Sequence, residues 1–387
     1  MKKLITFVLF LFAIYGFCSH TNNVQVNKSC IELYNVLKNE DFGKLDSEKI
    51  LYVDIGIDYI PYELIELFEK LSGVRVIVDV FDSNEILEAK LLAGGAQYDI
   101  VFPTAWPNFS RQLNAGIYQR IDKKRINYEI FDKDILERLA KYDVENQHAV
   151  PYQFGISGIG ISEKVLQLLE KDKNAPIDSY ALIFDPKYAE ILSKYRISVY
   201  ESPNELFPAV MAYLGLDPES EKEEDIQKAA EQLKKVRPYI SKFTSYGFED
   251  LASENACAAL STSGDILKSG MTNKNAGIKF VFPKEGASLW VDVAAIPMQA
   301  RHINNAYAFF KFLFHPQVIA YVTNSTSRAN AVTTSEKFVR SDLVKNENIY
   351  PTANTRKKCY IEKPSSAKIE SLKTRLLTII KSANKVM

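Results

Sequence analysis

The chain has 387 residues, of which 47% are hydrophobic, 25% charged and 12% aromatic, a composition typical of a globular protein. Lys and Arg together number 48, as do Asp and Glu, so the formal net charge is zero. The chain therefore lacks the positive net charge that attracts nucleic acid or an acidic membrane surface. The length favours two domains, because single hydrophobic cores stop growing beyond roughly 250–300 residues.

The first 20 residues, MKKLITFVLFLFAIYGFCSH, predict a secretory signal peptide. Two lysines precede an apolar run that is short for a membrane span, and small and polar residues follow it. Cys18 stands where a lipoprotein signal has its acylated cysteine, although Phe17 departs from the small residue usual there. Cleavage without lipidation and retention as an anchor helix are the alternatives. We expect an exported protein, either periplasmic or attached by lipid to the cell envelope.

The other cysteines, Cys30, Cys257 and Cys359, show no C-x-x-C spacing and no metal-ligand spacing with the four histidines. The sequence also lacks G-x-S-x-G, H-E-x-x-H and a glycine loop of the kind that binds phosphate. No catalytic constellation, metal site or cofactor motif is therefore indicated. This favours a binding protein over an enzyme.

Residues 21–46 are polar and mixed, and predict a tether with one short helix near residues 31–37. Strands and helices then alternate, at residues 50–55, 61–73, 74–80, 83–95 and 98–103. This βαβαβ pattern predicts an open, largely parallel α/β sheet. Such sheets bind ligands beyond the carboxyl ends of their strands.

Two pairs of residues follow strands at that edge of the predicted sheet. Asp58 and Tyr59 come after the first strand, and Thr104 and Trp106 after the third. Each pair alone is also typical of solvated loop residues or of packing. Their shared position makes them candidates for ligand contact.

The rest of the chain continues the α/β pattern. Residues 150–162, VPYQFGISGIGIS, are β-rich and contain several glycines, which suits a crossing between two lobes. A strand and a helix are predicted in residues 197–215, with Ser202 near the helix cap and Glu205 in the first turn, where an acid also suits the helix dipole. Later elements are a surface helix at 223–236, a strand and helix in 257–270, a helical region at 304–322, turns at 323–335 and a helix at 366–383.

The stretch PKEGASLWVDVAAIP, residues 283–297, contains a carboxylate within an apolar run. On a strand, Trp290 and Asp292 would share one face. An aromatic ring beside an anion suits a cationic amine, which gains cation–π contact and charge-assisted hydrogen bonds. The alternative is a solvated aspartate on an edge strand and a tryptophan of the core.

The segments LYVDIGIDYIP, FDSNE, YDIVFPTAW, VPYQFGISGIGIS and VFPKEGASLWVDVAAIP resemble, in order and spacing, the spermidine/putrescine-binding proteins of bacterial polyamine ABC importers. The resemblance runs from residue 49 to the C-terminus. It implies the two-lobe periplasmic-binding-protein fold, in which two α/β domains joined by crossover hinges hold the ligand in the cleft between them. The implied lobes are residues 47–161 with 290–334, and 162–289 with 335–383.

The resemblance also implies the residues that contact the polyamine: Asp58, Tyr59, Thr104, Trp106, Ser202, Glu205, Trp290 and Asp292. The chain departs from the family at several cleft positions. Aromatic residues are lost at Gly56, at Ser261 or Thr262, and near Thr326. A carboxylate is lost at Ser202, with Glu201 as a substitute if the alignment shifts by one, and polar residues are lost at Ile57 and near Ile361.

These departures bear on the ligand. Loss of two tryptophan faces would weaken binding by about one to three powers of ten. The carboxylates of Asp58, Glu205 and Asp292 suit a dication such as putrescine better than a trication. Acids rather than arginines at the cleft positions favour a cationic solute.

The expected function is capture of putrescine or spermidine by lobe closure and delivery to the permease and ATPase subunits of an ABC importer. The protein would act as a monomer without enzymatic activity. Two alternatives remain: the same fold binding another small cationic solute, and an exported interaction lipoprotein with no transport role.

Overall fold

The computed structural model describes residues 22–81, 83–94, 97–361 and 365–383. The strands in these residues are β1 Ile50–Gly56, β2 Arg75–Phe81, β3 Ile100–Val101, β4 Ala149–Ser162, β5 Ile197–Val199, β6 Lys242–Phe243, β7 Ala258–Thr262, β8 Ile278–Val281, β9 Leu289–Ala295 and β10 Ala329–Asn330.

The helices in the same residues complete the α/β pattern. They are α1 Asn22–Leu37, α2 Tyr62–Ser72, α3 Asn84–Leu92, α4 Ser110–Asn114, α5 Lys133–Leu139, α6 Glu163–Leu169, α7 Ala181–Phe184, α8 Pro186–Ser193, α9 Pro203–Tyr213, α10 Glu223–Val236, α11 Gly247–Ala252, α12 Ser263–Thr272, α13 Ile303–Leu313, α14 Pro316–Thr326, α15 Ser341–Val344, α16 Ala353–Lys357 and α17 Ala367–Ser382.

The strands form a mixed sheet in the order β2-β1-β3-β9-β4-β7-β5-β6, and β8 and β10 also pair with β4. Strand β1 runs parallel to β2 and β3, with α2 and α3 as the connecting helices. The βαβαβ prediction is therefore confirmed. Strand β9 runs antiparallel to both β3 and β4, which brings the Trp290–Asp292 stretch into the middle of the sheet.

Strand β4 joins the two halves of the molecule. From Ala149 to Ile156 it pairs with β9, and from Ser157 to Ile161 it pairs with β7. A Cβ atom at Gly155 would lie 2.4 Å from the ring of Trp290, so this glycine lets the indole pack against the strand. The same strand thus belongs to both halves of the sheet.

Buried apolar side chains form two large clusters. The first core takes its residues from Leu33 to Ile156 and from Leu289 to Ile361. The second core takes them from Ile159 to Leu260 and from α17. Two separate cores fit the length of the chain, because a single hydrophobic core stops growing beyond roughly 250–300 residues.

The third crossing of the chain differs from the one implied by the family resemblance. Residues from 335 onward were expected in the second lobe, but Val339, Leu343 and Ile349 pack in the first core. These apolar side chains are almost fully buried there. The chain reaches the second core again at Tyr360, which packs against it, and at α17, where Ile369 and Leu377 are buried.

The N-terminal segment is not a free tether over its whole length. Helix α1 is longer than the short helix predicted, and Leu33 and Leu37, four residues apart on one face, are buried in the first core. The ring of Phe42 then meets the ring of Phe68 at 6.0 Å. Residues from 33 onward therefore belong to the folded body, because their apolar side chains find partners on α2 and α13.

The predicted signal peptide and Cys18 lie outside the described residues. Cys30, Cys257 and Cys359 are free thiols. Within the described ranges, no helix combines the length and the apolar character that a membrane crossing requires.

Candidate functional site

A cavity of about 640 Å³ lies between the two cores. One wall comes from the first half of the sheet, through residues that follow β1 and β3 and through β9 itself. The opposite wall comes from residues that follow β5 and β7. All eight residues proposed as ligand contacts line this cavity: Asp58, Tyr59, Thr104, Trp106, Ser202, Glu205, Trp290 and Asp292.

Asp292 lies at the base of the first wall and is only 1% exposed. Its Oδ1 accepts a hydrogen bond from the Thr104 hydroxyl at 2.8 Å. Thr104 is in turn held by Asn84, the first residue of α3, which donates to the hydroxyl and accepts from the backbone N–H, both at 2.9 Å. The start of α3 thereby fixes the hydroxyl that orients the carboxylate.

The second oxygen of Asp292, Oδ2, is buried and accepts no hydrogen bond from any described residue. Burial raises the pKa of this carboxyl to about 6, against the opposing effects of its contacts with the hydroxyls of Thr104 and Tyr59 and of the charge of Arg328. A buried carboxylate oxygen without a donor is costly. An ammonium group from a ligand would supply the missing donor and the compensating charge.

Tyr59 forms the aromatic surface next to Asp292. Its ring lies against Gly56, where an added Cβ would come within 2.7 Å of the ring. The carbonyl of Tyr59 accepts a hydrogen bond from the Tyr152 hydroxyl at 2.7 Å, which fixes the backbone of this loop. Tyr59 thus covers the position at which the family resemblance expects a tryptophan, and Gly56 provides the space that its ring needs.

Two tryptophans extend the apolar surface of the first wall. Trp106 is 2% exposed, and its ring lies 5.3 Å from the ring of Tyr142. Trp290 shares the cavity face of β9 with Asp292, while Val291 and Val293 are buried on the other face, as the strand pattern predicted. The Nε1 atoms of both indoles have no hydrogen-bond partner among the described residues. Their rings offer apolar faces to the methylene groups of a ligand.

The second wall presents polar side chains from the starts of two helices. Ser202 is the N-cap residue of α9, and Glu205 lies in the first turn of that helix. At the start of α12, the Thr262 hydroxyl accepts a hydrogen bond from the backbone N–H of Asp265. Both helices follow strands, so their N-termini and their acidic side chains meet at the same edge of the sheet.

The structure also decides between positions that the sequence left open. Thr262 lines the cavity, whereas Ser261 is buried outside it. Thr326 is buried beside Gln153, and Ile361 belongs to the first core. Glu201 accepts a hydrogen bond from Ser245 and does not line the cavity, so it does not replace the carboxylate missing at Ser202.

Sequence reasoning missed five charged residues of the cavity: Glu85, Glu249, Asp265, Lys268 and Arg328. Arg328 forms an ion pair with Asp265 at 2.8 Å, and Lys268 forms one with Asp58 at 2.8 Å. The expectation of acids rather than arginines concerned the predicted cleft positions, and Arg328 adds to the cavity an arginine that they did not include. A signal was present in the sequence, because Arg328 is the one charged residue in the turn region 323–335.

The overall charge of the cavity remains negative. Among the lining residues that the structure describes, six side chains are acidic and two are basic. The acids are Asp58, Glu85, Glu205, Glu249, Asp265 and Asp292, and the bases are Lys268 and Arg328. This excess of carboxylates favours a cationic ligand over an anionic one.

Known proteins are similar to this chain in sequence and in fold. The sequence matches the bacterial extracellular solute-binding protein family over residues 63–352. It is 37% identical over 349 residues to the putrescine-binding periplasmic protein PotF of Escherichia coli, covering 88% of this chain and 94% of PotF. It is 36% identical over 340 residues to the putrescine-binding periplasmic protein SpuD of Pseudomonas aeruginosa, covering 86% of this chain and 92% of SpuD.

The fold is shared with a solved structure of lower sequence identity. The spermidine/putrescine ABC transporter substrate-binding protein PotD from Streptococcus pneumoniae superimposes with a TM-score of 0.72 at 21% identity. The match covers 86% of this chain and 98% of that protein.

Proposed function

Because the chain belongs to the bacterial extracellular solute-binding protein family, we propose that it captures a polyamine, putrescine or spermidine, in the cavity between its two cores. It then delivers the ligand to the permease of an ABC importer. The observation that carries this proposal is the buried carboxylate of Asp292, which has one oxygen without a donor and lies in a cavity with an excess of acids.

The cavity matches the two chemical features of a polyamine. Its carboxylates suit the ammonium groups, each charge-assisted hydrogen bond contributing roughly 1.5–3 kcal/mol. Its rings, among them Trp106 and Trp290, suit the methylene chain between those groups. The relatives PotF and SpuD are named as putrescine-binding proteins, which supports the same ligand class here.

Capture proceeds by closure of the two lobes around the ligand. The eight predicted contact residues are the proposed binding residues, six on the wall of the first half and Ser202 and Glu205 on the wall of the second. The two cores, with β4 continuous through both, are the proposed rigid bodies. A ligand that contacts both walls stabilises the closed arrangement, which is the form that the permease would receive.

The protein acts as an exported, monomeric transport component and not as an enzyme. The leader in residues 1–20 supports export, and Cys18 is the proposed site of a lipid anchor. Its partners in this role are the permease and ATPase subunits of the importer. Uptake of labelled putrescine by cells with and without the gene tests this role separately from binding.

Calorimetric titration of the purified protein with putrescine, spermidine, n-butylamine and succinate tests the ligand class. We expect affinity in the micromolar range or tighter for at least one polyamine, much weaker binding of the monoamine and no binding of the dianion. The absence of heat with both polyamines, from protein that unfolds cooperatively, would overturn the proposal and leave another cationic solute or a non-transport role.

Two matched glutamates sharpen this experiment. Glu205 and Glu163 each lie in the first turn of a helix, but only Glu205 lines the cavity. Glu205→Gln should weaken polyamine binding about tenfold or more, because a charge-assisted hydrogen bond is lost. Glu163→Gln should leave it unchanged.

A further inference from the structure

Arg328 is a cation of the protein itself that lies inside the proposed ligand cavity. It follows Ser327, which ends α14 in the left-handed conformation with φ 57°, and it precedes β10. Its side chain is 13% exposed and lines the cavity. The other lining cation, Lys268, is 44% exposed at the rim. Arg328 is thus the deeper of the two cations among the described lining residues.

The guanidinium of Arg328 occupies the kind of position that a ligand ammonium needs. Its Nη2 lies 2.8 Å from Oδ1 of Asp265, a carboxylate that is 15% exposed. Its Cζ lies 4.8 Å from the centre of the Tyr59 ring, within the range of cation–π attraction. Its charge also acts on Asp292, whose pKa it lowers against the effect of burial. One carboxylate and one aromatic face are therefore already taken by a cation.

The placement of Arg328 is determined by packing between the two halves. A Cβ atom at Gly264, at the start of α12, would lie 2.8 Å from the carbonyl oxygen of Ser327 and 3.1 Å from Cγ of Arg328. Glycine therefore allows the helix that presents Asp265 to approach the segment that presents Arg328. The ion pair joins the two walls of the cavity, since Asp265 follows β7 and Arg328 follows α14.

We propose that Arg328 is a built-in cation that takes one ammonium position of the cavity, and that it makes the protein select a diamine over a triamine. The inference rests on the proposed polyamine function. A dication such as putrescine can use Asp292 and the opposite wall without approaching Asp265. The third ammonium of spermidine would either lie close to the guanidinium of Arg328 or have to displace it from Asp265. The first case is unfavourable because two positive charges in close proximity repel each other.

The test compares the dissociation constants of putrescine and spermidine for the wild-type protein and for Arg328→Met, which keeps most of the side-chain length and removes the charge. Wild type should prefer putrescine. In Arg328→Met the ratio of the spermidine constant to the putrescine constant should fall at least tenfold, because Asp265 and the Tyr59 face become available to the third ammonium. Arg328→Lys, which keeps the charge, should retain the preference for putrescine.

Arg111 provides the matched control. It also joins the two halves, through Glu88 at 2.9 Å and Glu370 at 2.7 Å, but it does not line the cavity. Arg111→Met should change the affinities for both amines by the same factor and leave their ratio unchanged. An equal change of the ratio in both variants would show that Arg328 acts through lobe closure and would overturn the proposal.

Three further outcomes are distinguishable. A wild-type preference for spermidine, or an unchanged ratio in a cooperatively folded Arg328→Met protein, would overturn the role of Arg328 while the polyamine function stands. A loss of the putrescine preference in Arg328→Lys would show that charge at this position is not what sets the preference. Binding of neither amine by wild type and variants would overturn the proposed function itself.

Discussion

Asp54 and Asp292 are two buried aspartates of the same sheet with different surroundings. Asp54 lies on β1, is fully buried and forms an ion pair with Lys90 at 3.1 Å. Lys90 is held in place by a second carboxylate, that of Asp79, at 2.9 Å. Asp292 lies on β9, is almost as deeply buried, and accepts one hydrogen bond from Thr104 without an ion pair to any described side chain.

The difference shows which of the two carboxylates is structural. Burial raises the pKa of both, because both leave water. At Asp54 the fold supplies the compensating cation from the neighbouring helix α3. At Asp292 the fold supplies an orienting hydroxyl but no ion pair with a described side chain. One oxygen of each carboxylate, Oδ1 of Asp54 and Oδ2 of Asp292, lacks a hydrogen-bond donor among the described residues, so the ion pair is what distinguishes the two. A buried charge without its own partner is expected where a ligand brings one.

The strongest test of this comparison is the effect of each aspartate on ligand binding. Asp292→Asn should weaken polyamine binding by about a hundredfold, since removal of one member of a buried charge pair costs roughly 2–5 kcal/mol. Asp54→Asn should leave the affinity unchanged, because Asp54 does not line the cavity. Calorimetric titration of the two variants measures both effects. Equal losses would show that the two sites are not functionally distinct.

The second prediction concerns the stability of the fold. Lys90→Met should lower the free energy of unfolding by about 2 kcal/mol, because it leaves the buried Asp54 without its cation. The effect lies below that of a fully buried pair, since the Lys90 side chain is 27% exposed. Urea denaturation followed by tryptophan fluorescence measures the change.

Lys187→Met is the control for that experiment. Lys187 pairs with Asp172 at the surface, where both side chains are largely exposed. Its replacement should leave the denaturation midpoint unchanged. A destabilisation by Lys187→Met as large as that by Lys90→Met would contradict the structural role assigned to the buried pair.

The third prediction is a pH dependence that belongs to Asp292. Its pKa of about 6 in the ligand-free protein means that a cation must compete with a proton below that pH. The affinity for a polyamine should therefore fall about tenfold between pH 7 and pH 5. Titrations at several pH values measure the slope, and a flat profile would show that the cation does not meet Asp292.

The same group affects stability in the opposite direction. In the folded protein the pKa of Asp292 lies above its ordinary value of 3.8, so the folded state holds a proton that the unfolded state releases first. This contribution to stability is present below pH 4 and is lost as the pH rises through 6. The ligand-free Asp292→Asn protein should lack this decline, which thermal unfolding at several pH values would show.

The smallest expected effect belongs to a pair of charges in solvent. Lys268 and Asp58 join the two walls at 2.8 Å, but their side chains are 44% and 66% exposed. Lys268→Ala should change polyamine affinity by less than about threefold, since exposed ion pairs contribute little. Calorimetric titration of Lys268→Ala beside Arg328→Met, which removes a more deeply buried ion pair, would show whether burial decides the difference in affinity between the two variants. A larger loss in Lys268→Ala would contradict that view.

Much of the proposed site could be predicted from sequence because it depends on short-range rules. The alternation of strands and helices placed Asp58, Tyr59, Thr104 and Trp106 at one edge of a sheet. The period of two along β9 placed Trp290 and Asp292 on one face. The family resemblance added Ser202 and Glu205 from the other half, which no local pattern would have joined to the first.

What the sequence determined by itself was the class of fold, the family and the residues that follow strands, since these depend on local periodicity and on motifs. The tertiary structure alone decided the environment of each charge. It paired Lys90 with Asp54 and placed Arg328 against Asp265 and Tyr59. It also packed Val339, Leu343, Ile349 and Ile361 in the first core. These contacts join residues far apart in the chain, and burial, which sets the energy of a charge, is a property of the folded chain and not of its local sequence.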